Sequence, residues 1–378
     1  MARDLPHLPD RTPWALIGAL YAAGLVAAGQ FAKVSLTLPA LALAYPDAPV
    51  AFAVSGVAVM GILFGVMAGG ITASLGPRRA ILAALALSAL AGAGQAVLPP
   101  FAALMALRVL EGAGHLVLVV AIPTLMAGLA APRDRGLVMG IWATFFGVGF
   151  ALAALVVGQD AGVVYGTHAG LAALLGLVLW RMLPPRVATA PRPLPRLADH
   201  VAIYRTPRLF APALGHGTYA FLFLALVTFL PAALGAPWLA AVLPLVGLAG
   251  SLAVGPLTRL VAPGALVAGG FAAMAALFAA ALVLPGLAVP LVVAGMLVSG
   301  VIAGGGFAAV PWLNGAEADR ALANGALAQL GNIGTFSGTP VLAALGAGAS
   351  LPMAIAVGVF GAAATALAYR AAARVNVR

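Results

Sequence analysis

The sequence predicts an all-α integral membrane protein with twelve transmembrane helices in two pseudo-symmetric six-helix bundles. Three observations predict it: too little charge to face water, twelve apolar runs of spanning length, and a repeat between the halves of the chain. Of 378 residues, 63% are hydrophobic and 7% are charged, and the mean hydropathy is +1.12. A soluble domain needs roughly 25% charged residues to coat its surface. Lipid must replace the missing polar surface here.

A span needs about 20 apolar residues to cross the hydrocarbon. Twelve such runs lie between Pro, Gly and charge punctuation. In the first half they are Trp14–Leu43, Val50–Ala73, Ala80–Leu98, Phe101–Ala130, Leu137–Val157 and Gly162–Leu183. In the second they are Leu209–Leu234, Trp238–Leu260, Gly264–Leu284, Leu287–Trp312, Leu322–Leu345 and Leu351–Ala371. The first run is far longer than the roughly 7–15 residue core of a cleaved signal peptide, so it reads as a retained span. The predicted domains are 1–183, a cytoplasmic linker at 184–208, and 209–378. Pro184, Pro185, Pro191, Pro193 and Pro195 among five arginines mark the linker, and Asp199 to Arg205 reads as a short interfacial helix.

Arginine placement sets the orientation. With the N-terminus inside, Arg3, Arg11, Arg78, Arg79, Arg133, Arg135, Arg181, Arg186, Arg192, Arg196, Arg205, Arg208, Arg259, Arg320, Arg370, Arg374 and Arg378 are all cytoplasmic. The outer loops hold only Asp47 and Asp160. Seventeen cations against none also checks the span count, because one missed span would scatter the later arginines to both sides. Both termini are therefore expected inside a cell inner membrane.

The halves repeat at an offset of 185 residues. Asp134-Arg135 precedes span five and Asp319-Arg320 precedes span eleven, while Gly140 and Gly149 match Gly325 and Gly334. A parallel repeat of two six-span halves is a recurring transporter plan, with the solute site between the halves.

The balance is basic, 19 Lys and Arg against 9 Asp and Glu. The cations sit at span ends without an aromatic-interleaved patch, which argues against a nucleic-acid partner. Cysteine is absent, which excludes disulfides, thiol nucleophiles and thiolate metal sites. No metal or cofactor is expected, and no cluster of nucleophile, acid and base points to an enzyme. The expected partners are the bilayer and one small-molecule substrate, with the chain acting as a monomer.

At this point the chain resembles the major facilitator superfamily, over essentially its whole length. Gly69-Gly70-Ile71-Thr72-Ala73-Ser74-Leu75-Gly76-Pro77-Arg78, followed by Arg79, is similar to the family loop G-x-x-x-D-R-x-G-R-R. Ala73-Ser74 stand where the family has its Asp-Arg pair. Gly69, Gly76, Arg78 and Arg79 are thereby implied in conformational switching. Arg108-Val109-Leu110-Glu111-Gly112 matches the span-four pattern R-x-x-Q/E-G, and Gly140, Gly147 and Gly149 look like the family's glycine-rich packing helix. The stretch from Arg108 through Pro123, Asp134-Arg135 and Trp142 is similar to the cyanate/nitroimidazole-type branch. The resemblance implies the major facilitator fold and alternating access, and it ties Arg108 to proton coupling.

An ionisable side chain in hydrocarbon costs at least ~2.5–3.5 kcal/mol, so each one inside a span is a functional candidate. Lys33, Arg108, Glu111 and His115 are those that sit well inside the spans of the first half. Arg108, Glu111 and His115 follow i, i+3, i+7 spacing on one face of span four. Lys33 lies about 7 Å, and Arg108 about 10 Å, outward of their spans' middles at 1.5 Å per residue. Two cations against one carboxylate predict a site for an anionic solute, with Glu111 or His115 carrying a coupling proton. Snorkelling by Lys33 and pairing of Arg108 to Glu111 alone is the competing reading. Further solute contacts are expected from Gln30, Trp142, His216, Tyr219, Gln329 and Asn332, although small polar groups equally serve as glue between membrane helices. The leading expectation is a secondary active transporter for a small organic or inorganic anion, proton-coupled or an exchanger. The alternatives are proton-coupled efflux of an amphipathic drug or metabolite and, from another class, a non-transporting membrane sensor.

Overall fold

The structure is a computed structural model that describes residues 11–156, 160–184, 201 and 203–375. Every regular element among the described residues is helical. Hydrocarbon offers the backbone no partners, so each pass must bond its N–H and C=O groups internally. The first half comprises α1 (Trp14–Leu36), α2 (Leu38–Ala44), α3 (Ala51–Ser55), α4 (Ala58–Phe64), α5 (Ala68–Leu75), α6 (Pro77–Ala96), α7 (Phe101–Leu129), α8 (Arg135–Ala143), α9 (Phe145–Val156) and α10 (Ala161–Met182). The second comprises α11 (Pro207–Ala233), α12 (Leu239–Leu257), α13 (Pro263–Val283), α14 (Ala288–Leu313), α15 (Glu317–Leu345) and α16 (Ser350–Val375).

Nine helices of the described residues are long and apolar enough to cross a bilayer, and α8 with α9 makes a tenth pass bent by 44°. The other two passes depart from an apolar rod for different reasons. Span two is divided into α3, α4 and α5, with breaks beside Gly56 and Gly65. Span eleven is one 29-residue helix that starts at Glu317, ahead of its expected Leu322, and carries Asp319, Arg320, Asn324, Gln329 and Asn332. The first span also ends early: its helix stops at Leu36, not Leu43, and restarts at Leu38. Pro39 has no N–H to continue the ladder, and the Thr37 hydroxyl donates to the Lys33 carbonyl at 2.7 Å to close the turn. The linker expected at 184–208 falls largely on residues 185–200 and 202, outside the described residues; residues 203–205 are helical and Ile203 is fully buried.

The repeat has a physical counterpart. Thr12, just before α1, donates to Asp134 Oδ2 at 2.6 Å. Arg208, in the first turn of α11, donates to Asp319 Oδ2 at 2.5 Å. Each acidic residue thus ties the start of its half's fifth pass to the start of that half's first. Gly149 packs on α1 beside Leu25 and Ala28, and Gly334 packs on α11 beside Gly217 and Phe221. These four apposed elements share one basic face, where Arg78 Nη2 also donates to the Trp180 carbonyl at 2.7 Å.

The hydrophobic core is continuous across both halves near the opposite face, where Phe31, Val34, Leu38 and Phe150 join Phe223, Leu226, Leu230 and Phe271. Near the basic face it divides. Ile17, Leu20, Ile81, Met126 and Val138 form one cluster, and Ile203, Leu209, Val310 and Leu327 form another. Val66 of the first half packs against the second cluster, so the bundles keep a contact there.

Within the second bundle, α12 and α14 approach backbone to backbone. A Cβ at Gly300 would meet the Gly247 carbonyl, and the Ser251 nitrogen at 2.8 Å. Small residues allow such approaches between membrane helices, where packing rather than water drives association. We expect Gly300→Val to lower the thermal unfolding midpoint of the purified protein, by the equivalent of about 1–3 kcal/mol of overpacking. An unchanged midpoint would mean the two helices can move apart freely.

Candidate functional site

The ionisable residues singled out in spans one and four converge. Lys33 projects from the last turns of α1 and donates to Glu111 Oε1 at 2.6 Å. Arg108, one helical turn before Glu111 on α7, donates from Nη1 to Glu111 Oε2. Gln95, near the end of α6, donates to the same Oε2 at 2.8 Å. Lys33 is 2% exposed, while Arg108 and Glu111 are fully buried. One carboxylate thus carries two cations in a region closed to water.

The remaining guanidinium donors explain the first break in span two. Arg108 Nε donates to the Ala53 carbonyl at 2.7 Å, and Nη2 to those of Gln30 at 2.8 Å and Val54 at 3.3 Å. Ala53 and Val54 lie at the end of α3, where the helix stops, so their carbonyls are free to face a side chain. A cation with five donors in a fixed fork suits this role better than lysine would.

Like Gln95, two further partners of the network were not evident from the sequence. His168, on α10, donates from Nε2 to the Val26 carbonyl at 2.9 Å, which turns Nδ1 toward Lys33 Nζ at 3.5 Å. The Tyr165 ring, one turn earlier on α10, lies 5.3 Å from the same ammonium. Its hydroxyl pairs with Thr37 at 2.9 Å. Their i, i+3 spacing was the available signal. Every group touching Lys33, Arg108 or Glu111 here belongs to the first bundle.

Gln30 and His115 form the layer between this network and the aromatic residues at the junction of the halves. Gln30 donates to Ser88 Oγ at 2.8 Å and accepts from His115 Nδ1 at 2.9 Å. His115 meets the Phe31 ring edge-on at 5.1 Å between centroids. From Phe31 an aromatic run crosses the junction: Phe31 to Phe146 at 6.0 Å, Phe146 to Phe223 at 6.1 Å, and Phe223 to Tyr219 at 5.3 Å. It continues to His216 at 5.8 Å and on to Phe307 at 5.0 Å. His216 and Tyr219 thus stand together as their spacing on α11 implied. Trp142 is buried, stacks on Phe145 at 4.5 Å, and packs against Gly24 of α1.

Gln329 and Asn332 stand elsewhere. Gln329 donates to the Ile62 carbonyl at 2.8 Å and accepts from Tyr204 at 2.7 Å. Asn332 donates to the Ala328 carbonyl of its own helix at 2.7 Å, with its side chain against Gly61. Both lie on the seam where α15 meets α4. Of the loop residues between spans two and three, Gly69 lies in α5, Gly76 has φ +76° directly before Pro77, and Arg79 is exposed in the first turn of α6. A side chain at Gly76 would be strained in that conformation.

A family model described as Major Facilitator Superfamily matches residues 20–339. No curated protein is significantly similar to the chain in sequence. Among solved structures, the chain is similar to a bacterial homolog of the human lysosomal transporter Spinster in an inward-facing, occupied conformation. That similarity has a TM-score of 0.75 at 14% identity, covering 96% of this chain and 97% of the other. It is also similar to the xylose transporter XylE from E. coli in an inward-open conformation, with a TM-score of 0.73 at 16% identity, covering 93% and 95%. The D-xylose-proton symporter follows at 0.67 and 17%, covering 93% and 97%. With a family match over most of its length and twelve passes in two bundles, the chain belongs to the Major Facilitator Superfamily.

Proposed function

We propose that the chain is a secondary transporter that moves a small anion together with a proton by alternating access, in a cell inner membrane with its basic face toward the cytoplasm. The observation that carries this is the charge count of the buried network: Lys33 and Arg108 against Glu111 alone. Desolvating an ion costs several kcal/mol unless its charge is compensated. The surplus positive charge can be removed in two ways, by an anion arriving beside Gln30 and His115 or by a proton leaving Lys33. Alternation between those two conditions couples the fluxes. With the anion, the network holds its proton; without the anion, it gives the proton up. A monovalent anion and one proton would then cross with no net charge.

His168 supports Lys33 in this role, since its Nδ1 lone pair can receive the ammonium in the absence of a second carboxylate. Gln30 and His115 connect the network to the junction, so an anion need not reach the buried cations to feel them.

The test is uptake of labelled small carboxylates and inorganic anions into proteoliposomes under an imposed pH gradient. We expect accumulation of an anion toward the more alkaline side, above that of protein-free vesicles, with a rate unchanged when the membrane potential is clamped. Accumulation driven by potential alone, or none for any anion, would overturn the reading. Proton-coupled export of an amphipathic metabolite is a second reading, favoured by the aromatic run between Phe31 and Phe307. In the same assay it predicts movement of neutral or cationic amphiphiles.

A further inference from the structure

We infer that the transported anion carries a flat unsaturated ring, so that the substrate class is the aromatic carboxylates; this rests on the proton–anion reading above. The chain has few aromatic residues, 7% of the total, yet four of them form a series across the place where the two bundles meet. Phe31 and Phe146 come from the first half and Phe223 and Tyr219 from the second, in one unbroken series of ring contacts. Alternating access requires this junction to separate. Rings placed there must exchange their partners during each cycle, whereas aliphatic side chains would suffice for static packing. A planar solute can take the place of the lost ring contact with the offset or edge-on geometry that aromatic rings favour.

The position of charge agrees with this. His115 touches the first ring of the series, Phe31, and reaches Gln30 with its Nδ1. A carboxylate held near Gln30 and His115 would place an attached ring between Phe146 and Phe223.

A third observation lies at the other end of the series. The buried Nδ1 of His216 has no hydrogen-bond partner. Such an orphan is costly and rare among buried polar groups. The imidazole lies between Tyr219 and Phe307, and glycines make room for it: a Cβ at Gly331 would come within 2.8 Å of its Cδ2. His216 therefore offers a polar contact to a ring substituent, such as a hydroxyl, as the solute moves toward the basic face.

Calorimetric titration of the purified protein with benzoate, cyclohexanecarboxylate and benzamide separates charge from planarity. We expect benzoate to bind about tenfold more tightly than cyclohexanecarboxylate, which has the charge without the flat ring. Benzamide, which has the ring without the charge, should bind more weakly still. Phe146→Leu and Phe223→Leu should each bring benzoate to within about twofold of cyclohexanecarboxylate, since Leu keeps an apolar contact and removes the ring face. Equal wild-type affinity for both carboxylates, with benzamide weaker, would overturn the ring claim and leave the anion reading standing. Equal affinity for benzoate and benzamide would overturn the anion reading, and binding of none of the three would overturn the substrate class. The wild-type comparison decides even where a leucine variant fails to fold.

Discussion

Glu111→Gln is expected to destabilise the protein more than any other single polar substitution in the spans. The change keeps the shape and a hydrogen-bond acceptor, and it removes the one negative charge that Lys33 and Arg108 share. Both cations would remain buried, facing one another through an uncharged amide. Breaking a buried ion pair by removing one partner costs about 3–5 kcal/mol, because the other charge is left uncompensated. Here two charges lose their partner, so the cost should lie at the upper end of that range. Arg108 keeps its three backbone carbonyls, which limits the loss. Lys33 retains the His168 nitrogen at 3.5 Å, the Tyr165 ring at 5.3 Å and a neutral amide oxygen. Thermal unfolding in detergent should show a large drop in midpoint, partly restored by adding Lys33→Met. A midpoint equal to that of the wild type would show that Glu111 does not hold the cluster together.

Lys33→Met is expected to have the reverse profile. It removes one cation and leaves Arg108 and Glu111 as a balanced pair, with the methionine filling the volume of the lysine stem. Replacing a buried ionisable group by an apolar one of similar volume is often neutral or stabilising, so the unfolding midpoint should equal or exceed that of the wild type. Transport should suffer. Without the titrating group, proton-driven accumulation of the anion should fall to the level of protein-free vesicles, while the protein remains folded. Loss of stability together with transport would instead assign Lys33 a purely structural role.

The contrast between these residues also shows what sequence could and could not convey. Lys33, Arg108 and Glu111 stand out because ionisable groups are rare in apolar runs, and the order of the spans already places them at similar depth. Their convergence on one carboxylate was partly legible, since Arg108 and Glu111 are one turn apart. His168, Tyr165 and Gln95 were not, because span order does not say how each helix is rotated or which neighbour it faces. Gln329 and Asn332 illustrate the same limit. Their spacing marks one face of span eleven, yet nothing in that spacing says whether the face lines the cleft or the α4 seam. The break in span two was hidden for another reason: Gly56 and Gly65 are unexceptional in a chain with 47 glycines, and the cause of the break, the guanidinium of Arg108, lies 55 residues away. The repeat of Asp134 and Asp319 was legible, and the structure supplies its reason in the bonds to Thr12 and Arg208.

The most direct test of coupling through the buried network is to count protons when an anion binds. Calorimetric titration of the purified protein with a transported anion, in two buffers of different ionisation enthalpy, yields that count directly. Coupling through Lys33 predicts that the wild type takes up close to one proton per anion bound, and Lys33→Met none. Binding of the anion with no proton uptake by the wild type, or with the same uptake by both proteins, would contradict it.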